Sequence, residues 1–249
     1  MSTTAQPISV GAWYRRGWQA FRSNPGTLIG GVLIAFAINA AVSLVGTPAS
    51  GRLILMLILS LLVGPSLWVG WAYLCLRVVR QEESGALTVF SGFRHWGPSI
   101  GGAVVYGFIL IGGSILLVVP GVIWALRYCM WPFAVGERNL GVTNALRFSA
   151  RITKGHKGRL FGAGLIAALL CLLLYLVLAL LLVFGVVPRS FIGDPRLVAA
   201  LLRDLSMLPA MVIIGPWLGA AFAVAYDDLV AAAGAAATTT EPTPPPPPT

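Results

Sequence analysis

Residues able to do chemistry are few and scattered. The chain has two histidines, His95 and His156, and eight carboxylates among 249 residues, and nowhere does a nucleophile stand beside a base in a recognisable motif. Catalysis needs acids, bases or ligands converging on one place, so the expectation is a non-enzymatic protein without a cofactor or a metal. His95 follows Arg94 and His156 precedes Lys157, settings that favour headgroup contact or solvation, and two imidazoles without nearby carboxylates make a poor metal site. Cys75, Cys129 and Cys171 sit in apolar runs without CxxC spacing, which reads as packing rather than as disulfides or a zinc site. The adjacent carboxylates Asp227 and Asp228 would need further oxygen ligands to hold a divalent ion. Their expected use is a salt link that pins the last helix to Arg77, Arg80 or the basic cluster upstream.

What remains is cationic. With 17 Lys and Arg against eight Asp and Glu, the formal charge is +9, and the basic residues come in short clusters between apolar runs. Arg15, Arg16 and Arg22 form one, Arg94 marks a second, and Arg147, Arg151, Lys154, Lys157 and Arg159 form a third. Short clusters flanking apolar segments fit the headgroups of anionic lipid and lack the sustained stripe expected for nucleic acid. Arg127 is different, because it lies within an apolar run between Trp124, Tyr128 and Trp131, where a central arginine costs about 2.5 to 3.5 kcal/mol on insertion scales. Two uses would offset that cost: an anion or headgroup site inside the bundle, or a side chain that snorkels to the interface over its aromatic neighbours. Asn39, inside the first apolar run, has the interhelical hydrogen bond as its ordinary use.

The elements that must position these residues are membrane helices. Hydrophobic residues make up 57% of the chain and charged ones only 10%, less than half the charged share of a soluble domain. A bilayer core of about 30 Å takes roughly twenty helical residues, and six runs qualify: Thr27 to Val45, Leu53 to Leu76, Ser99 to Val119, Gly121 to Val135, Leu160 to Val187 and Ser206 to Tyr226. The fourth is short and carries Arg127, so a re-entrant or tilted segment stays open there. Before the first run, Val10, Trp13, Tyr14, Gly17, Trp18 and Phe21 recur at helical spacing opposite Arg15, Arg16, Gln19 and Arg22. That pattern predicts an amphipathic helix lying in the headgroup plane with its rings in the interface, turning at Asn24, Pro25 and Gly26.

The expected fold is therefore an all-α polytopic membrane bundle of about six transmembrane helices with cytoplasmic amphipathic helices. Basic flanks are retained in the cytoplasm; six spans with both termini inside place twelve basic residues on inner flanks and four on outer ones. No basic start followed by an apolar core and a small-residue cleavage site marks a removable signal. The expected organisation is a flexible start at 1–8, an integral membrane domain at 9–230, and a disordered Ala/Thr/Pro-rich tail at 231–249 with local polyproline II character.

A threefold pattern is superimposed on the spans. A basic, aromatic segment precedes a span at Trp18 to Arg22, at Val89 to Trp96 and at Asn144 to Arg159, and the second span of each unit carries a proline eight to ten residues before a tyrosine, as in Pro65 and Tyr73, Pro120 and Tyr128, Pro216 and Tyr226. Three copies of a surface helix plus a transmembrane hairpin would produce it, as would the common use of Trp, Tyr, Arg and Pro in membrane proteins. Several short motifs, Gly17-Trp18-x-x-Phe21-x-x-Asn24-Pro25, Phe90-Ser91-Gly92-Phe93, Pro120-Gly121-Val122-Ile123-x-x-x-Arg127-Tyr128, Asn144-Ala145-Leu146-x-x-Ser149 and Lys154-Gly155-His156-x-x-x-Leu160-Phe161, resemble a widespread bacterial multi-pass domain. That domain occurs alone as uncharacterised membrane proteins, and it resembles the membrane part fused to some glycerophosphodiester phosphodiesterases. The resemblance covers roughly residues 10 to 229 and implies an integral membrane module without catalytic residues of its own; the soluble hydrolase half has no counterpart here. The expected function is an accessory module of the inner, plasma membrane that engages anionic lipid or a membrane partner, self-association included, through its cytoplasmic basic residues. The alternative is a transporter or channel for a small or anionic solute with a path near Arg127 and the breaks Gly64-Pro65 and Gly215-Pro216.

Overall fold

The computed structural model describes residues 9–45, 53–116, 118–181 and 210–239. Among them every regular element is helical, which makes the fold an all-α bundle. In order come α1 (Val10–Ser23), α2 (Pro25–Val45), α3 (Leu53–Val79), a 3-10 helix (Ala86–His95), α4 (Trp96–Leu116), α5 (Val118–Tyr128), α6 (Trp131–Arg138), α7 (Val142–Ile152), α8 (Lys157–Leu181), a π-helical turn (Ala210–Ile214) and α9 (Gly215–Thr239). Pro216, which has no N–H to donate four residues back, explains why the ladder loosens to π geometry just before α9.

Four stretches are long and apolar enough to cross a bilayer: Leu57–Val79, Ala86–Gly113, Lys157–Val177 and Val212–Ala235. A fifth exists only if Val10–Ser23 and Pro25–Asn39, bent by 92° where they meet, are taken together. The bend falls on the expected turn at Asn24, so α1 lies across the end of α2, and the first expected span is α2 itself. Where about six spans were expected, the described residues hold four to five candidates. Gly121 to Val135 is not one helix: the chain leaves helical geometry at Met130 (φ −90, ψ 3) and restarts as α6 with Pro132 in its first turn. The 11 residues of α5 cover about 16 Å at 1.5 Å each, half a bilayer, and α5 folds back on α4. A Cβ on Gly113 would stand 2.7 Å from Gly121 Cα, an approach that only small residues allow between membrane helices.

The same device seats the 3-10 helix. A Cβ on Gly70 would meet the Val89 carbonyl oxygen at 1.7 Å, and one on Gly92 would meet the Ser66 carbonyl oxygen at 1.8 Å, so this helix lies backbone to backbone on α3. Just beyond it, Trp96 Nε1 donates to the Leu62 carbonyl at 2.8 Å, near Pro65, which stays inside a continuous α3. The order of surface helix followed by long helices recurs three times, as α1-α2-α3, the 3-10 helix with α4 and α5, and α7-α8-α9, but the copies are unequal. The second has a 3-10 helix and a half-length return, and α6 intervenes before the third. The last helix also runs through Thr239, past the expected tail boundary at Ala231, because alanine is the best helix former. The proline run and residues 1–8 lie outside the described residues.

Replacing Gly92 with valine is expected to lower the thermal unfolding midpoint in detergent at least as much as a 1 to 3 kcal/mol overpacking defect. Gly97→Ala, where a Cβ meets nothing within 4 Å, serves as the control and is expected to change the midpoint little.

Candidate functional site

Trp13 and Phe21 of α1 pack on protein, which corrects for these two rings the expectation that they enter the lipid interface, whereas Trp18 is exposed. Trp13, Gly17 and Phe21 are buried, and a Cβ on Gly17 would lie 2.6 Å from the Ala221 nitrogen of α9. Hydrogen bonds fix this strap at both sides. Tyr14 Oη donates to the Ala163 carbonyl of α8 at 2.6 Å, and Trp217 Nε1 of α9 donates to the Tyr14 carbonyl at 3.0 Å. Trp13 Nε1 reaches Asp228 at 2.9 Å, and Arg16 Nη1 bonds both Asp228 oxygens at 2.8 and 3.0 Å. Arg16 therefore serves a salt link rather than standing free with the headgroup cations, whereas Arg15 and Arg22 are exposed.

Asp227 faces the other way. Arg80, at the end of α3, bonds Asp227 at 2.7 Å and Glu137 of α6 at 2.5 Å, and Tyr226 Oη donates to Glu137 at 2.6 Å. The Tyr226 ring stacks on Phe133 with centroids 5.3 Å apart, and Arg138 both pairs with Glu137 at 3.4 Å and covers the Phe148 ring at 4.4 Å. Of the expected partners for the acidic pair, Arg80 is used. Arg77 turns instead to Glu82 at 3.2 Å and to the Glu83 carbonyl. The basic cluster of α7 and α8 takes no part. Sequence reasoning missed Glu137, whose one available signal is a carboxylate within a dozen residues of an apolar run. Burial acts to raise the Glu137 carboxyl, but hydrogen bonds from Tyr226 and Arg80 and the positive charges of Arg80 and Arg138 outweigh it, and the net shift is downward.

A second group of cations gathers along α7. Ser149 Oγ and Thr153 Oγ1 of α7 both donate to the Arg127 carbonyl, at 3.0 and 3.1 Å, and Ser149 Oγ accepts from the Met130 N–H at 3.2 Å. These buried hydroxyls satisfy carbonyl and amide groups left open where α5 stops, and they set Arg127 at the level of α7. Here a cavity of about 570 Å³ is lined by Arg127, Arg147, Arg151 and Lys154 together with Val105 and Ile109 of α4 and Val142 and Leu146 of α7. Sequence reasoning treated Arg127 and the α7 cluster separately; the fold puts them on one cavity. No carboxylate lines it, and the ion pairs among the described residues include none from Arg127, Arg147, Arg151, Lys154, Lys157 or Arg159. Arg127 lies 5.5 Å over the Tyr128 ring and is exposed.

No family model matches the chain, and comparison with curated proteins and with solved structures returns no match. The site must therefore be read from its own geometry.

Lys157 and Arg159 sit in the first turn of α8 beside the cavity residues in sequence but do not line it. Positive charge there opposes the helix dipole, an arrangement that an anionic layer relieves. Arg94 is exposed on the 3-10 helix, away from the cavity. Asn39 donates to Ala35 of its own helix at 2.9 Å and lines an apolar groove with Trp68 and Trp71. Among the described residues no three His, Cys, Asp or Glu side chains gather as a metal site. The arrangement can bind an anion next to hydrocarbon; it holds no base paired with a nucleophile.

Arg80→Gln removes the ion pair of Asp227 and leaves Glu137 with Tyr226 and Arg138, both carboxylates being only about a fifth exposed, so the expected loss lies between the values for exposed and buried pairs, about 2 kcal/mol by chemical or thermal unfolding in detergent. Because the folded Glu137 carboxyl titrates below its unfolded value of about 4.3, its contribution is complete above that pH and is lost as pH falls through the folded value. Melting curves from pH 7 to pH 3 are expected to fall more steeply for the native chain than for Glu137→Gln.

Proposed function

We propose that this protein is a non-enzymatic, multi-pass module of the bacterial inner membrane that retains an anionic phospholipid on its cytoplasmic face. The observation that carries the reading is the cavity where four cations meet an apolar wall without a carboxylate. Guanidinium and ammonium groups donate strong, charge-assisted hydrogen bonds to phosphate, and the α4 residues Val105 and Ile109 supply a surface along which the first carbons of an acyl chain can lie. Basic loops of a polytopic protein stay inside, which supports a cytoplasmic position for α7 and the start of α8 and, with α1 and Asp228 joined at one level, for both termini. The sequence resemblance to stand-alone bacterial membrane domains supports the same assignment, and a membrane-protein partner or second copy would meet the exposed apolar faces of the spanning helices.

The test is lipid retention by the full chain. In nanodiscs or by native mass spectrometry, phosphatidylglycerol is expected to be held over phosphatidylcholine, and the triple substitution Arg147→Gln, Arg151→Gln, Lys154→Gln is expected to weaken that preference by about tenfold or more, since each charged hydrogen bond lost contributes roughly 1.5 to 3 kcal/mol. Arg15→Gln with Arg22→Gln is expected to have a smaller effect. Equal retention by the native chain and the triple variant contradicts the proposal, and solute flux in proteoliposomes that disappears in Arg127→Leu would replace it with a transport path.

A further inference from the structure

The cavity at Arg127 has a neighbour on the other flank of α7. A second depression, of about 380 Å³, is lined by Arg138, Leu140, Asn144, Arg147, Phe148 and Arg151. Arg147 and Arg151 line both cavities. Four residues apart on one helix, they are neighbours along its surface and form a ridge of two guanidiniums between the depressions. Arg127 and Lys154 complete the donors on the first side, Arg138 and Asn144 on the second.

We propose that the ligand is a lipid carrying two phosphate groups in series on one hydrocarbon anchor, with the first phosphate in the Arg127 cavity, the second in the Asn144 depression, and the Arg147–Arg151 ridge shared between them. This rests on the anionic-lipid reading above and specifies its chemistry. Charge is the first argument. Arg138 already pairs with Glu137 at 3.4 Å, but Arg127, Arg147, Arg151 and Lys154 make no ion pair among the described residues. One phosphodiester offsets one of those four charges; a second phosphate offsets one or two more. The difference between the two walls is the second argument. Only the first cavity has the aliphatic α4 residues that accept a chain, whereas the second offers an amide and guanidiniums with a single aromatic ring and Leu140. A terminal phosphate without a chain of its own fits there. A prenyl diphosphate and a phospholipid whose headgroup bears a further phosphate both have this chemistry.

The full-length protein, delipidated in detergent, would be titrated by native mass spectrometry with four lipids, phosphatidylinositol, phosphatidylinositol 4-phosphate, a long prenyl monophosphate and the matching prenyl diphosphate, and with phosphatidylglycerol and phosphatidylcholine as a reference pair. The two-phosphate member of at least one class is expected to bind about tenfold or more tighter than its one-phosphate counterpart, the change that one added charge-assisted hydrogen bond brings; which class does so identifies the source. Asn144→Asp, an exposed change that places a negative charge in the second depression, is expected to abolish that preference and to weaken one-phosphate binding much less, the smaller loss coming through Arg147 one turn away. Equal affinity for one and two phosphates, or an Asn144→Asp loss of the same size for all four lipids, overturns the proposal. Failure of phosphatidylglycerol to bind above phosphatidylcholine would instead overturn the anionic-lipid reading on which it rests.

Discussion

Asp227 and Asp228, neighbours near the middle of α9, reach in opposite directions. Asp228 takes Arg16 and Trp13 of α1; Asp227 takes Arg80 at the end of α3, and Arg80 together with Tyr226 holds Glu137 of α6. Helices in lipid gain little from burying apolar surface against one another, because hydrocarbon surrounds them in either case. Directional polar contacts and close small-residue approaches must then decide which faces meet. This cluster does so for four helices at one level of the bundle, and the Gly17 contact with Ala221 and the Gly70 contact with Gly92 tighten the neighbouring seams.

The cluster also has an electrostatic consequence. Glu137, Asp227 and Asp228 are all committed to Arg16, Arg80 and Arg138, and Glu82 to Arg77. Among the described residues only the Glu83 carboxylate is left over, and no ion pair joins it to α5, α7 or the start of α8, so their positive charge stays uncompensated by the described residues. Arg127 is part of this excess. Its carbonyl is held by Ser149 and Thr153 while its guanidinium joins Arg147, Arg151 and Lys154 around a cavity with one apolar wall. Acids held in one cluster and cations without an ion pair along α7 are two results of the same distribution of charge.

Much of this was legible in the sequence and some could not be. The 3.6-residue recurrence of Val10, Trp13, Tyr14, Gly17 and Phe21 identified α1, and Asn24-Pro25 marked its end. Periodicity reports that a face is apolar but not what covers it, so the docking of that face on α9, two hundred residues downstream, was invisible. Hydropathy likewise reads Gly121 to Val135 as one run because Met130 and Pro132 do not lower it; the break is a matter of backbone geometry. Arg80 with Asp227 followed from charge and position, whereas Glu137 was hidden by a span that the structure divides. The joining of Arg127 to the α7 cations depends on two hydroxyls, Ser149 and Thr153, whose spacing of four on the buried side of an amphipathic helix was the one available clue.

Everything about ligand binding presupposes that α1 and the α7–α8 corner share one side of the membrane. Paired accessibility measurements address this most directly. With Cys171→Ser as background, Arg22→Cys and Arg159→Cys, both at exposed positions, would be treated separately with a membrane-impermeant maleimide in intact cells and in inverted vesicles. Labelling of both positions in inverted vesicles and of neither in intact cells is the predicted result. Labelling of the two from opposite sides would contradict the account.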